Sequence, residues 1–178
     1  MARASATPQR VTWAIEQMDL DPSDGVLEVG CGGGHAVTLL CERLRRGGVT
    51  AIDRSAQQVA RARERNAAWI AAGRARIEYL TLVDAPAALG RGRFDRVLAI
   101  NVNAFWTESA ASVAALHELL APGGRVYLVH EPPSPAKLRE IRRISPERLV
   151  DAGLTVEEVR TAKFRRGAGI CIIGRRPG

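Results

Sequence analysis

Lysine is nearly missing from this chain. Of its 26 basic residues, only Lys137 and Lys163 are lysines and the rest are arginine. Alongside abundant alanine and glycine, that bias reads as compositional, so the formal charge of +7 is weak support for a polyanionic partner. Aromatic residues are also scarce, with three Trp, two Tyr and three Phe, too few for a base-stacking platform on single-stranded nucleic acid. The cysteines, Cys31, Cys41 and Cys171, are odd in number and form no CxxC pair. They count against a disulfide framework or a cysteine metal cage and in favour of a reducing compartment. No apolar run approaches the ~20 residues of a membrane span, and Met1 to Gln9 lacks the apolar centre of a secretory leader. A cytoplasmic protein without membrane contact is therefore expected. Internal repeats and low-complexity linkers are missing as well.

What is present suits one domain: 178 residues, 46% hydrophobic and 25% charged, enough for a sizeable core and short of two domains of ordinary size. Short apolar runs alternate with helical patterns, the signature of an α/β sheet covered on both faces. Val11, Ala14, Ile15 and Met18 mark a first helix over 9–20. Strands are expected at 26–30, 49–53, 76–82, 94–101 and 125–130. Helices are expected at 35–46, from Ser55 to Gly73 with Ser55 and Gln58 as a capping box, and at 108–120. Ser134-Pro135 and Ser145-Pro146 each resemble an N-cap followed by a first helical residue. They predict two short helices, 135–144 and 146–152. Strands at 154–160 and 169–174 end the chain, joined by a turn carrying Lys163-Phe164-Arg165-Arg166-Gly167. So short a connection favours an antiparallel pair.

The stretch Glu28-Val29-Gly30-Cys31-Gly32-Gly33-Gly34 carries the most information. It follows the apolar Gly25-Val26-Leu27 and precedes a helix. Glycines at alternate positions allow a tight turn with positive φ and let a ligand lie against bare backbone. A dinucleotide fingerprint would require glycine at position 35, which is His35, and this argues against a nicotinamide-dependent dehydrogenase.

The pattern E-x-G-x-G-x-G resembles motif I of the class I S-adenosylmethionine (SAM)-dependent methyltransferases. Three further segments match that family in order: Ala51-Ile52-Asp53, Leu82-Val83-Asp84-Ala85, and Leu120-Ala121-Pro122-Gly123-Gly124-Arg125. The resemblance runs from about residue 10 to the end. It implies a Rossmann-like α/β fold with a seven-stranded sheet in the order 3-2-1-4-5-7-6, strand seven antiparallel and helices on both faces. A single methyltransferase domain would fill 1–178, with 1–24 a helical extension and 25–178 the core. SAM would be the methyl donor and S-adenosylhomocysteine the product. Carried over residue by residue, Gly30, Cys31, Gly32 and Gly34 would meet the donor, and Asp53, next to Arg54, would accept from the ribose hydroxyls. Asp84 would accept from the adenine amino group, with Val83 and Ala85 beside the ring. Glu28 would organise the loop or reach the donor's amino group through water.

Methyl transfer from a sulfonium is an in-line displacement at an activated carbon, so positioning can supply much of the catalysis. A general base matters only if the acceptor must lose a proton. The carboxyl edges of strands four and five offer Asn101 beside the donor, Asn103 and Trp106 as acceptor contacts, and His130 with Glu131 as the catalytic pair. Asn103 lacks the N/D-P-P-Y/F signature of many amino-nitrogen methyltransferases. The second half of the chain holds most of the basic excess, including Lys137, Arg139, Arg142 and Arg143. An anionic small-molecule acceptor would suit it; nucleic acid is possible and not favoured. The alternative is a non-catalytic SAM-binding module, regulatory or bound to nucleic acid. Either a monomer or a homodimer is compatible with the sequence.

Overall fold

The computed structural model describes residues 7–107, 110–165 and 167–178. The strands are β1 (Gly25–Val29), β2 (Gly48–Asp53), β3 (Ala75–Tyr79), β4 (Phe94–Ile100), β5 (Leu120–His130), β6 (Thr155–Phe164) and β7 (Gly167–Arg175). They form one seven-stranded sheet in the order β3-β2-β1-β4-β5-β7-β6. β1, β2, β3, β4 and β5 run parallel, and β7 is antiparallel to both β5 and β6. Sheet order and direction are those implied by the resemblance.

The helices are α1 (Gln9–Gln17), α2 (His35–Arg43), α3 (Ala56–Arg65), α4 (Ala67–Ala71), α5 (Ala85–Leu89), α6 (Ala104–Thr107), α7 (Ala110–Leu119) and α8 (Pro135–Asp151). They cover the sheet on two sides, each over its own apolar cluster. One cluster joins Val11, Ile15, Val37, Leu40 and Val59 to the sheet residues Val26, Leu98, Tyr127 and Val129. The other joins Leu89, Phe105, Leu116, Ile141 and Leu149 to Leu27, Val97, Val126 and Leu128. Alternate residues of one strand thus feed opposite clusters, as the period of two requires. β1 is buried at every residue except its first, which is why it reads as an apolar run and not as an alternation. Because β1 pairs with β2 on one side and β4 on the other, the connections leaving it diverge and open a crevice at its carboxyl end.

Several elements differ from expectation. The helix foreseen from Ser55 to Gly73 breaks at Asn66 into α3 and α4. The Asn66 side chain is fully buried and donates to Ala62 O and Gly34 O at 2.9 and 3.0 Å. The Ser55 cap itself is present, its hydroxyl accepting from Gln58 N. The two helices foreseen after Ser134 are one: α8 runs through Ser145 and Pro146. Burial of Ile141, Ser145 and Leu149 on one face outweighs the hydrogen bond that proline cannot make. Lys163 and Phe164 belong to β6 and not to a turn, since Phe164 pairs directly with Gly167. Of that basic segment, Arg166 lies outside the described residues. So do the start of the helix foreseen at 108–120 and residues 1–6 of the N-terminal extension. α5 and α6, helices of five and four residues, are elements that were not among those expected. Among the described residues, no helix is long and apolar enough to cross a membrane.

Candidate functional site

The turn after β1 is held in shape by its neighbour. Gly30 N and Cys31 N both donate to Ile52 O, at 2.8 and 3.1 Å, and Gly34 N closes onto Cys31 O at 2.9 Å. Gly30, Gly32 and Gly34 have φ of +69°, +51° and +75°, a region that side chains with a Cβ avoid. At Gly34 a Cβ would lie 2.5 Å from Asn66 Nδ2, whereas one at Gly32 or Gly33 would meet nothing within 4 Å. The middle of the loop is therefore open backbone, and its end is locked against α3.

Asp53 ends β2 and ties two turns together. Its Oδ2 accepts from Gly32 N and its Oδ1 from Ser55 N, both at 2.9 Å. Each oxygen keeps further acceptor capacity. Glu28 lies in β1 just before the loop, 3% exposed, with Oε2 lacking a partner. Desolvation first, and the Asp53 charge second, push its pKa up to about 8, against a smaller opposing effect of the Val37 N–H. Glu28 is thus a neutral acid at pH 7. Burial, followed by the nearby Glu28 and Asp53, also raises the Cys31 thiol above its ordinary range, so Cys31 is an unreactive packing residue of the core.

A cavity of about 740 Å³ opens across the carboxyl ends of β1, β2 and β4, with Gly30, Asp53 and Arg54 on one wall. Leu80, Thr81, Leu82 and Val83 form the apolar-rich second wall. The far wall is Asn101, Val102 and Asn103, followed by Ala104, Thr107 and Ser112. The structure thus brings together Gly30, Asp53, Arg54, Val83, Asn101 and Asn103 from the residues singled out in the sequence. Asn101 is the only described non-glycine residue with positive φ, +56°. Its N–H donates to Val129 O at 2.8 Å, and its Oδ1 accepts from Glu131 N at 2.8 Å, so it bridges the ends of β4 and β5.

Other candidates stand back from this cavity. Asp84 accepts from the Thr81 hydroxyl at 2.5 Å, and Ala85, the first residue of α5, is buried. Trp106 is turned beneath Lys137, whose Nζ sits 4.3 Å from the ring centroid, and its Nε1 has no partner. His130 is 2% exposed, and its Nε2 also lacks a partner. Burial lowers its pKa to about 4, leaving the imidazole neutral at pH 7. The Glu131 carboxylate pairs with Arg10 at 3.3 Å. Lys137 and Arg143, in the basic stretch, are paired with Glu140 and Glu147. Thr81, Thr107 and Ser112 line the cavity without having been foreseen. Thr81 and Thr107 sit beside or on helices of five and four residues, too short to leave a periodic signal, and Ser112 falls within the helix expected at 108–120, where its part in the cavity had no sequence signal. No cluster of three or more metal-ligating side chains exists among the described residues.

Known proteins agree with this geometry. The sequence model of the family described as "Methyltransferase domain" matches residues 27–126. A ubiquinone biosynthesis O-methyltransferase from Azotobacter vinelandii is 36% identical over 121 residues, covering 67% of this chain and 49% of that protein. This chain therefore spans about half the length of that relative. An uncharacterised methyltransferase, YdaC, from Bacillus subtilis is 22% identical over 172 residues, 93% of this chain and 90% of its own. Among solved structures, a geranyl diphosphate methyltransferase in complex with SAM superposes with a TM-score of 0.74, covering 94% of this chain and 84% of that one. At 15% identity this last likeness is one of fold. With a match across 27–126, more than half of its length, the chain belongs to the class I SAM-dependent methyltransferase family.

Proposed function

We propose that this protein transfers a methyl group from SAM to a small-molecule acceptor and releases S-adenosylhomocysteine. One observation carries the reading: the cavity at the carboxyl ends of β1, β2 and β4 is walled by Gly30 and by the Asp53 carboxylate. The residues fit the donor. Gly32 and Gly33 leave open space where any Cβ would stand, and Asp53 retains acceptor capacity for a ribose diol. Leu80, Leu82 and Val83 give an apolar wall for adenine, while Asp84, bonded to Thr81 behind that wall, is not placed on it. Buried, neutral Glu28 shapes the loop from beneath. Residues 25–178 form the domain's core in this reading, with α1 added in front.

The donor supplies a methyl carbon already activated for displacement; the protein has to hold an acceptor in line with it. Asn101, fixed by Val129 and Glu131, sets the wall at the end of β4, and Asn103 and Thr107 offer polar contacts for the acceptor. His130 is a poor proton acceptor with a pKa near 4, so we assign it to packing and leave the reaction to positioning. A small acceptor fits the enclosure by α6. The Azotobacter relative, named for ubiquinone biosynthesis, and the geranyl diphosphate enzyme both act on small molecules by name. Pairing of Lys137 with Glu140 reduces the pull of the basic segment on anions.

Calorimetry with SAM, S-adenosylhomocysteine and NAD tests the donor. Binding of the first two and not the third is expected, with Asp53→Ala weakening it by about tenfold or more. Undiminished binding in that variant overturns the assignment. Release of S-adenosylhomocysteine across a panel of small acceptors then tests turnover; binding without any release would instead point to a non-catalytic module.

A further inference from the structure

β3 ends the sheet on one side and leaves half of its backbone groups facing outward. Val49 N donates to Arg74 O, and Leu80 N to Asp53 O, so the even-numbered residues of this segment pair with β2. By the alternation of a strand, the N–H and C=O groups of Ala75, Ile77 and Tyr79 point away from the sheet. A row of this kind is a template for another strand. At its centre it is stoppered. Arg63, on α3, donates from Nε and Nη2 to Ile77 O at 2.9 and 2.6 Å, and its Nη2 lies 3.6 Å from Glu78 Oε2.

The surface beside this edge is apolar. α4 reads Ala-Ala-Trp-Ile-Ala, and none of these five residues is buried. Ala67, Ile70 and Ala71 line, with Ala75 and Ile77, a groove of about 510 Å³ along the strand. Tyr79, at the end of β3, is 65% exposed. The opposite outer strand, β6, has a register shift between Val156 and Glu158, and such a bulge spoils an edge for pairing. β3 keeps an unbroken register with β2 from Ala75 to Tyr79.

The sequence of β3 also complements itself. A two-fold axis through Ile77, with the strands antiparallel, sets Ile77 opposite its counterpart, Ala75 opposite Tyr79 and Arg76 opposite Glu78. The first two pairings join outward-facing residues, which exchange hydrogen bonds; the third is the closer kind of pair, where opposite charges attract. Arg76 and Glu78 already meet at 2.7 Å within one chain, so the axis joins two such pairs into a ring of alternating charge. It also keeps both α4 helices on one face of the joined sheet, turned toward each other.

We infer that the β3 edge and α4 form a self-association surface for a second copy of this chain, with Arg63 as a latch that must leave Ile77 O before the strands pair. A strand of five residues makes a small interface, so the dimer is weak and reversible. Because the pairing is isologous, assembly closes at two copies.

Sedimentation velocity of the full chain over a concentration series tests the inference. Wild type is expected to pass from monomer to dimer as concentration rises, and Arg63→Ala to do so at about tenfold lower concentration. Arg63→Lys, the milder variant, keeps the charge and loses the two-pronged contact; it should fall between them. On the Arg63→Ala background, Arg76→Glu sets like charges across the axis and weakens the dimer, and adding Glu78→Arg restores it. A dimer no tighter in Arg63→Ala and Arg63→Lys than in wild type overturns the latch. Monomers alone in every variant overturn the surface, and so does a dimer indifferent to Arg76→Glu. Growth beyond two copies overturns the two-fold pairing.

Discussion

Gly34 illustrates how narrowly single positions are determined around the site. It combines φ of +75° with a prospective Cβ 2.5 Å from Asn66 Nδ2 and 3.0 Å from Ala62 Cα. Asn66 cannot retreat, because its amide also bonds Ala62 O and its Oδ1 takes the Thr38 hydroxyl at 2.7 Å. Gly34→Ala is therefore expected to cost about 2 kcal/mol or more, from left-handed strain together with overpacking. The fall in urea midpoint would measure it. Gly33→Ala, with nothing within 4 Å of the new methyl, should cost far less and impair ligand binding instead. The alternating glycines were legible in the sequence. Which of them serves packing and which serves the ligand was not, because that depends on Asn66, a residue remote in the chain.

At the level of elements, α8 is the clearest case of tertiary structure overriding a local signal. Ser145-Pro146 has the same form as Ser134-Pro135, yet only Ser134 caps a helix, accepting from Lys137 N at 3.2 Å. Ser145 is fully buried, with its Oγ unpartnered. A buried hydroxyl without a hydrogen bond is a net cost, so Ser145→Ala should stabilise the protein by about 1 kcal/mol. Chemical denaturation would register the gain, and a loss of stability would show that the hydroxyl has a partner after all. The sheet was far easier to read than the helices around the cavity. β1, β2 and β4 are apolar runs bounded by turn residues, and their order follows from the family pattern. α5 and α6 span five and four residues, too short for a period of 3.6 to repeat. Thr81, Asn103 and Thr107 become neighbours only when strand ends converge.

Across the whole molecule, two buried titrating groups act on stability in opposite senses. Glu28 rises from 4.5 to about 8 on folding. Its contribution is fully present below pH 4.5 and is lost as the pH climbs through 8. His130 falls from 6.5 to about 4. Its contribution is present above pH 6.5 and is lost as the pH drops through 4. Between pH 6.5 and 4.5 acidification thus strengthens the fold through Glu28 and weakens it through His130, and the two nearly cancel. Removing either partner should uncover the other. Relative to wild type, Glu28→Gln should lose about 2 kcal/mol between pH 6.5 and 4.5, and His130→Leu should gain a similar amount over the same interval. Urea unfolding across that range decides it; parallel profiles for all three proteins would refute the pairing of effects.

Asp53 fastens the chain as well as facing the cavity, since its two oxygens hold the N–H groups of Gly32 and Ser55. Any substitution there disturbs the loop and the ligand contact at once, so loss of affinity in Asp53→Ala cannot be divided between them. The division has to be made on the small molecule. Deoxygenating one ribose position at a time leaves the carboxylate's two internal bonds intact and removes a single hydroxyl. The affinity lost to each such edit is the ligand's share of Asp53, separated from the share spent on holding β1 and β2 in register at their ends.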